Sequence, residues 1–201
     1  MPIFGALPDG YEQALYWRVT DKPVRFVGLQ LLSVICLVIF GAVFFSLAIT
    51  LGKLPSQLSF GLGEIGLVLL GILLTLVLHE LTHGVVMKLF GAKPSYGILW
   101  KQFMLYTTSP GFVYRRNNFA AITLAPFILI SVLVILGMGL LQGTFWVALL
   151  GLCGAINSSG AAGDIWATAI VLRYSPTALV MDERDGIRVF LAKQQLDRET
   201  N

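Results

Sequence analysis

Charge is scarce in this sequence. Of its 201 residues, 12% are Asp, Glu, Lys or Arg, where a soluble domain carries about 25%. Residues 26–52 and 117–163 contain no charged side chain. A water-facing surface cannot be built from such stretches, which excludes a soluble globular domain. The net charge of +3 comes without a basic run, which excludes a nucleic-acid partner. Cysteine is scarce too. Cys36 and Cys153 each lie in an apolar segment and read as small hydrophobes, which leaves no disulfide framework and no cysteine zinc knuckle. No internal repeat or low-complexity segment interrupts the chain. The first 25 residues mix polar and aromatic side chains, and the first apolar run is too long for a signal sequence. No cleavable signal is therefore expected.

The apolar stretches predict an all-α membrane protein. A membrane span needs about 20 apolar residues. Four spans are expected, at about 24–51, 63–90, 119–141 and 145–172, within one membrane domain covering 24–172. Residues 1–23 form a polar and aromatic lead, and Tyr16 and Trp17 suit the membrane interface. A short interfacial helix is expected at about 11–20. Gly91, with Pro94 beyond it, marks the end of the second span. Residues 92–117 are too broken by Gly97, Pro110 and Gly111 to cross a membrane. Ser95–Trp100 and Phe103–Thr108 read as two short strands of an interfacial hairpin or re-entrant loop. Pro126 is expected to kink or break the third span near its start. The tail, 173–201, is charged, and Asp182-Glu183-Arg184-Asp185-Gly186 reads as the turn of a small C-terminal hairpin. All but Lys53 of the 14 Lys and Arg residues fall in the lead, the middle loop with its flanks, or the tail. By the positive-inside rule both termini are cytoplasmic in a multi-pass cell-membrane protein.

Histidine is as scarce as cysteine, and its placement is informative. Both histidines belong to one motif, His79-Glu80-Leu81-Thr82-His83. On a helix, residues i and i+4 share a face, and two neutral imidazoles so placed can hold one Zn²⁺. Glu80 then sits beside the metal rather than on it. That is the place of a general base that takes a proton from water the metal activates. Ionisable groups inside a membrane helix are costly and mark function.

A catalytic zinc takes three protein ligands and keeps one open position. A third histidine three turns on is excluded, because Val86 and Leu89 occupy the positions such an extension would use. Between Glu80 and Asp182 the chain has one acidic residue, Asp164. His83 and Asp164 each fall roughly 10–12 Å in from the cytoplasmic end of their spans, so they are level. Asp164 is expected as the third ligand, or else as the acceptor of an imidazole N–H. From Gly154 to Gly163 nearly every residue is small, which lets two helix backbones approach. Asn157 lies two turns before Asp164. It either hydrogen-bonds substrate or an oxyanion, or links helices.

These residues resemble a known family. The HELTHG run at His79–Gly84, the Ala125-Pro126 pair and Gly163-Asp164 are similar to small bacterial membrane proteins grouped as the putative zincin peptidase family. More distantly, they resemble intramembrane metalloproteases of the site-2 protease class. The resemblance covers about residues 65–190. It implies His79, His83 and Asp164 as zinc ligands and Glu80 as catalytic base. The site-2 pattern N-x-x-P-x-x-x-x-D-G is matched only loosely. The Asn157–Asp164 spacing is one residue shorter, and Gly160 stands near the proline position. Ile165 replaces the final glycine.

The reading that follows is a zinc-dependent intramembrane endopeptidase that cuts membrane protein or peptide substrates near the cytoplasmic face. The alternative is a catalytically inactive zinc-binding membrane protein that holds partner helices. Glu80 separates the two, since a structural site needs no carboxylate beside the metal. A cation carrier is disfavoured, because one polar cluster among four apolar spans offers no polar path across. Neither the substrate nor the oligomeric state can be read from the residues.

Overall fold

A computed structural model describes residues 5–57, 61–102 and 104–193. Helices α1 (Pro23–Thr50), α2 (Leu62–Leu89) and α3 (Arg116–Leu140) run over the first three apolar stretches. Each is long and apolar enough to cross a membrane. The fourth stretch is a bent pair, α4 (Phe145–Gly160) and α5 (Ala162–Val171), which makes up to four candidate spans. A helix of 28 residues is about 42 Å long, more than a bilayer's hydrocarbon core of about 30 Å.

The chain is not all-α, and this corrects the expected fold class. Six strands lie among the described residues: β1 (Tyr11–Arg18), β2 (Ser95–Leu99), β3 (Met104–Thr108), β4 (Val113–Arg115), β5 (Leu179–Glu183) and β6 (Gly186–Ala192). They form an antiparallel four-stranded sheet, in the order β1-β6-β5-β4, and a separate β2-β3 hairpin. The expected interfacial helix at 11–20 is strand β1. Eight residues are too few to hold a helix alone in water, and Tyr11, Tyr16 and Trp17 are good strand formers. Pairing along β6, from Tyr11↔Ala192 to Arg18↔Gly186, decides the outcome. The β2-β3 and β5-β6 hairpins lie where strands are expected, although Phe103, residues 1–4 and residues 194–201 lie outside the described residues.

Two compact units make up the chain. One comprises the chain through Leu29, Glu80–Ala125 and Asp164 onward. It holds both sheets and a core that includes Met87, Tyr114, Phe119, Ile122, Val180, Val189 and Leu191. Arg18 and Thr20 both bond Asp185 in the β5-β6 turn, tying down the end of β1. The other unit, Gln30–His79 and Pro126–Gly163, is helical. Its core is Phe44, Ala48, Ile130, Val134, Met138 and Val147. Small residues allow close helix packing there: Gly154 lies under the Phe44 ring, and Ser33 Oγ donates to Ser159 O at 2.8 Å.

Two local features set the ends of the elements that matter for the site. Gly91 (φ 84°) terminates α2, and Ala92 N–H returns to Met87 O at 3.1 Å, the left-handed cap that glycine favours. Helix α3 continues through Pro126, so of the expected kink or break, the break does not occur. The reason lies in what occupies the carbonyl that the proline leaves without a helical donor.

Candidate metal centre

Helix α2 places His79 and His83 one turn apart, both buried. His79, His83 and Asp164 each offer one ligand atom, and these atoms lie within 4.8 Å of one another. His83 Nε2 and Asp164 Oδ1 are 3.3 Å apart. Two ligands of a tetrahedral ion with bonds of ~2.0–2.1 Å stand roughly 3.4 Å apart. The spacing therefore fits a metal, and two imidazoles with one carboxylate are a zinc donor set.

The second nitrogen of each imidazole is fixed by a different device. Proline has no N–H, so the carbonyl four residues earlier in a helix loses its partner. For Pro126 that carbonyl is Ile122 O, and His83 Nδ1 lies 3.0 Å from it. A carbonyl only accepts, so Nδ1 carries the hydrogen and Nε2 carries the lone pair a metal needs. This bond also satisfies the carbonyl, which lets α3 continue through the proline.

His79 Nδ1 lies 3.0 Å from Asn157 Oδ1. The Asn157 amide nitrogen donates to Pro126 O at 3.3 Å, so the amide is oriented with its oxygen toward His79. That oxygen accepts, which puts the His79 hydrogen on Nδ1 as well. Asn157 is fully enclosed. Outer contacts of this kind set the tautomer and ring orientation of metal-binding histidines.

Glu80 is half-buried on the same helix. Its Oε2 accepts from Thr107 Oγ1 at 2.7 Å, and its backbone carbonyl lies 3.0 Å from the same hydroxyl. No local pattern points to Thr107, because the contact depends on how the β2-β3 hairpin meets α2. Asp182 was also missed. It reads locally as a turn residue, yet it sits at the end of β5 with Oδ2 buried and without a hydrogen-bond partner among the described residues. Burial pushes its carboxyl up to about 8; the charge of Asp164 also raises it, while a Thr108 hydrogen bond and the charge of His83 pull it down. No local pattern announces this enclosed carboxyl.

These features define a zincin-type site: two histidines and a glutamate on one helix, with a distant aspartate. Residues 72–179, over half of the chain, match the family model described as "Putative zincin peptidase", and the chain belongs to that family. Zinc is the metal this membership implies, and the His-His-Asp cluster is compatible with it. The "uncharacterized 24.7 kDa protein in gap 5'region" of Pyrococcus woesei is 29% identical over 116 residues, which are 57% of this chain and 50% of that protein. The chain thus spans about half the length of that curated relative. No solved structure matches.

Proposed function

We propose that the protein is a zinc-dependent endopeptidase of the membrane, acting on membrane protein or peptide substrates near the cytoplasmic face. The observation that carries this reading is the His79, His83 and Asp164 cluster with Glu80 on the same helix turn. His79, His83 and Asp164 would hold the ion. Bound zinc supplies Lewis acidity, which acidifies water and polarises a carbonyl. Glu80 takes the proton of the attacking water and hands it to the leaving amine, the role of a carboxylate within reach of both. Asn157 and the Ile122 carbonyl keep the two imidazoles in the metal-binding tautomer. Loss of the Asn157 amide would free the His79 ring to turn.

The membrane setting supports an intramembrane substrate. His83 lies six residues before the end of α2 and Asp164 seven before the end of α5, roughly 9–11 Å from those ends at 1.5 Å per residue. A helical substrate has its amides fully paired, so it must unwind before cleavage. The hairpin β2-β3 has outer strand edges on which an unwound segment can pair. With both termini cytoplasmic, as the Lys and Arg distribution favours, the cluster faces the cytoplasmic half of the bilayer. A likeness of mechanism to the site-2 protease class belongs to this same reading.

Glu80→Gln tests it. The variant should retain zinc and lose all cleavage of a peptide or membrane-protein library in detergent or liposomes. Retained cleavage removes Glu80 as the base. A wild-type protein that binds zinc and cuts nothing in the same library favours the binding-only alternative.

A further inference from the structure

The β2-β3 hairpin meets α2 at two points that share one geometry. Tyr96 and Thr107 are directly opposed in the antiparallel register, so their side chains leave the same face of the hairpin. Glu80 and Gly84 are i and i+4 on α2, so they share one face of the helix. Thr107 Oγ1 bonds Glu80 Oε2 at 2.7 Å. The Tyr96 phenol lies against Gly84, where any Cβ would collide with it. Hairpin and helix therefore meet face to face, with the glycine admitting the tyrosine and the threonine reaching the carboxylate. Within the hairpin, Gly97 admits the Tyr106 phenol of its cross-strand partner in the same way. This contact stiffens the strand pair that carries Thr107.

We propose that Thr107 is the positioning residue of the general base: its hydroxyl fixes the Glu80 carboxylate so that Oε1 is the oxygen that receives the water proton. This rests on the assignment of Glu80 as base. A glutamate has three side-chain torsions, and an unrestrained carboxylate samples several rotamers. The Thr107 hydrogen bond holds Oε2 and is charge-assisted, so it is about twice as strong as a neutral one. The hydroxyl also reaches the Glu80 backbone carbonyl at 3.0 Å, which anchors it to the turn that carries His79 and His83. A valine at 107 keeps the shape and the strand preference and removes the donor.

The test uses the full-length protein in detergent, with Co²⁺ loaded in place of zinc, and reads its visible absorption bands and its metal content. The variants are Thr107→Val, Thr107→Ala, Thr107→Ser and Glu80→Gln. All should bind one Co²⁺ per chain. Glu80→Gln should shift the bands, because it changes what the open coordination position faces. Thr107→Val and Thr107→Ala should shift them in the same direction by a smaller amount, and Thr107→Ser should restore the wild-type spectrum. Wild-type spectra for Val and Ala alongside a shifted Glu80→Gln spectrum would overturn the role of Thr107 and leave the base in place. A wild-type spectrum for Glu80→Gln itself would mean that the carboxylate does not face the open coordination position, which overturns the positioning role of Thr107; the role of Glu80 as base is decided separately by the loss or retention of cleavage. The alanine variant cannot overpack the contact, so a misfolded valine variant does not decide the matter.

Discussion

The two units are built for different surroundings, although α2 runs from one into the other. In the sheet-bearing unit, Val113, Leu179, Val180 and Val189 are completely enclosed, as in a water-soluble core. In the helical unit a smaller core is enclosed, and many large apolar side chains point outward: Val38 is 65% exposed and Leu69 is 64% exposed. Such surfaces are intolerable in water over this area and ordinary against lipid tails. The motif begins at His79, the last residue of the helical unit's share of α2, and Glu80, His83, Thr107, Asp164 and Asp182 all belong to the sheet-bearing unit. The sheet-bearing unit supplies the Thr107 contact to Glu80 and the Ile122 contact to His83, while the helical unit supplies the Asn157 contact to His79.

Substitutions in the two units should differ widely in effect. Tyr114 is fully buried and hydrogen-bonded to Ser109 at 2.6 Å. Tyr114→Ala should destabilise the protein by about 3–5 kcal/mol, the usual cost of truncating a buried aromatic. A denaturant midpoint in detergent measures it, and a change under about 1 kcal/mol would show that this unit is not close-packed. Asn157→Ala should come next. Losing an outer contact to a metal-binding histidine typically costs 10–100-fold in affinity, read by competition with a zinc chelator. Asn157→Asp keeps the acceptor and should recover part of the loss.

A pH effect should follow for Asp182. Its folded pKa is about 8 against an ordinary value of 3.8. Between these values the folded protein holds a proton that the unfolded chain has released. Stability therefore falls as pH rises through this window and levels off above it. Asp182→Asn should flatten this part of the profile when unfolding of the metal-free protein is followed at several pH values. An unchanged slope would mean that the carboxyl is not enclosed as described. The smallest effect should be that of Val38→Ala, within about 0.5 kcal/mol, because lipid or detergent replaces the lost contacts.

Much of the site was legible in the sequence because its signals are local or rare. Two histidines at helical spacing, and one acid in a hundred-residue acid-free stretch, are visible without a fold. The apolar runs give the helices for the same reason. Strands β1 and β4 were not legible as parts of a sheet. Their partners lie far along the chain, and an eight-residue aromatic segment such as YEQALYWR suits either an interfacial helix or an edge strand. Pro126 was visible, but its consequence was not. A proline in a helix signals a break until one knows that His83 fills the vacated carbonyl. Asn157 was seen as a polar residue near the ligand, and its bond to His79 depends on how the Pro126 carbonyl fixes its amide. Thr107 had no signal of its own, since nothing in a threonine of a short strand points to a glutamate 27 positions earlier.

Zinc per chain in detergent-purified protein, measured by elemental mass spectrometry for wild type and Asp164→Ala side by side, tests the metal centre. About one zinc is expected in the wild type and a sharp loss in the variant, which lacks one of the three proposed ligands. Equal zinc in both would remove Asp164 from the ligand set. No zinc in the wild type after reconstitution would contradict the metal centre itself.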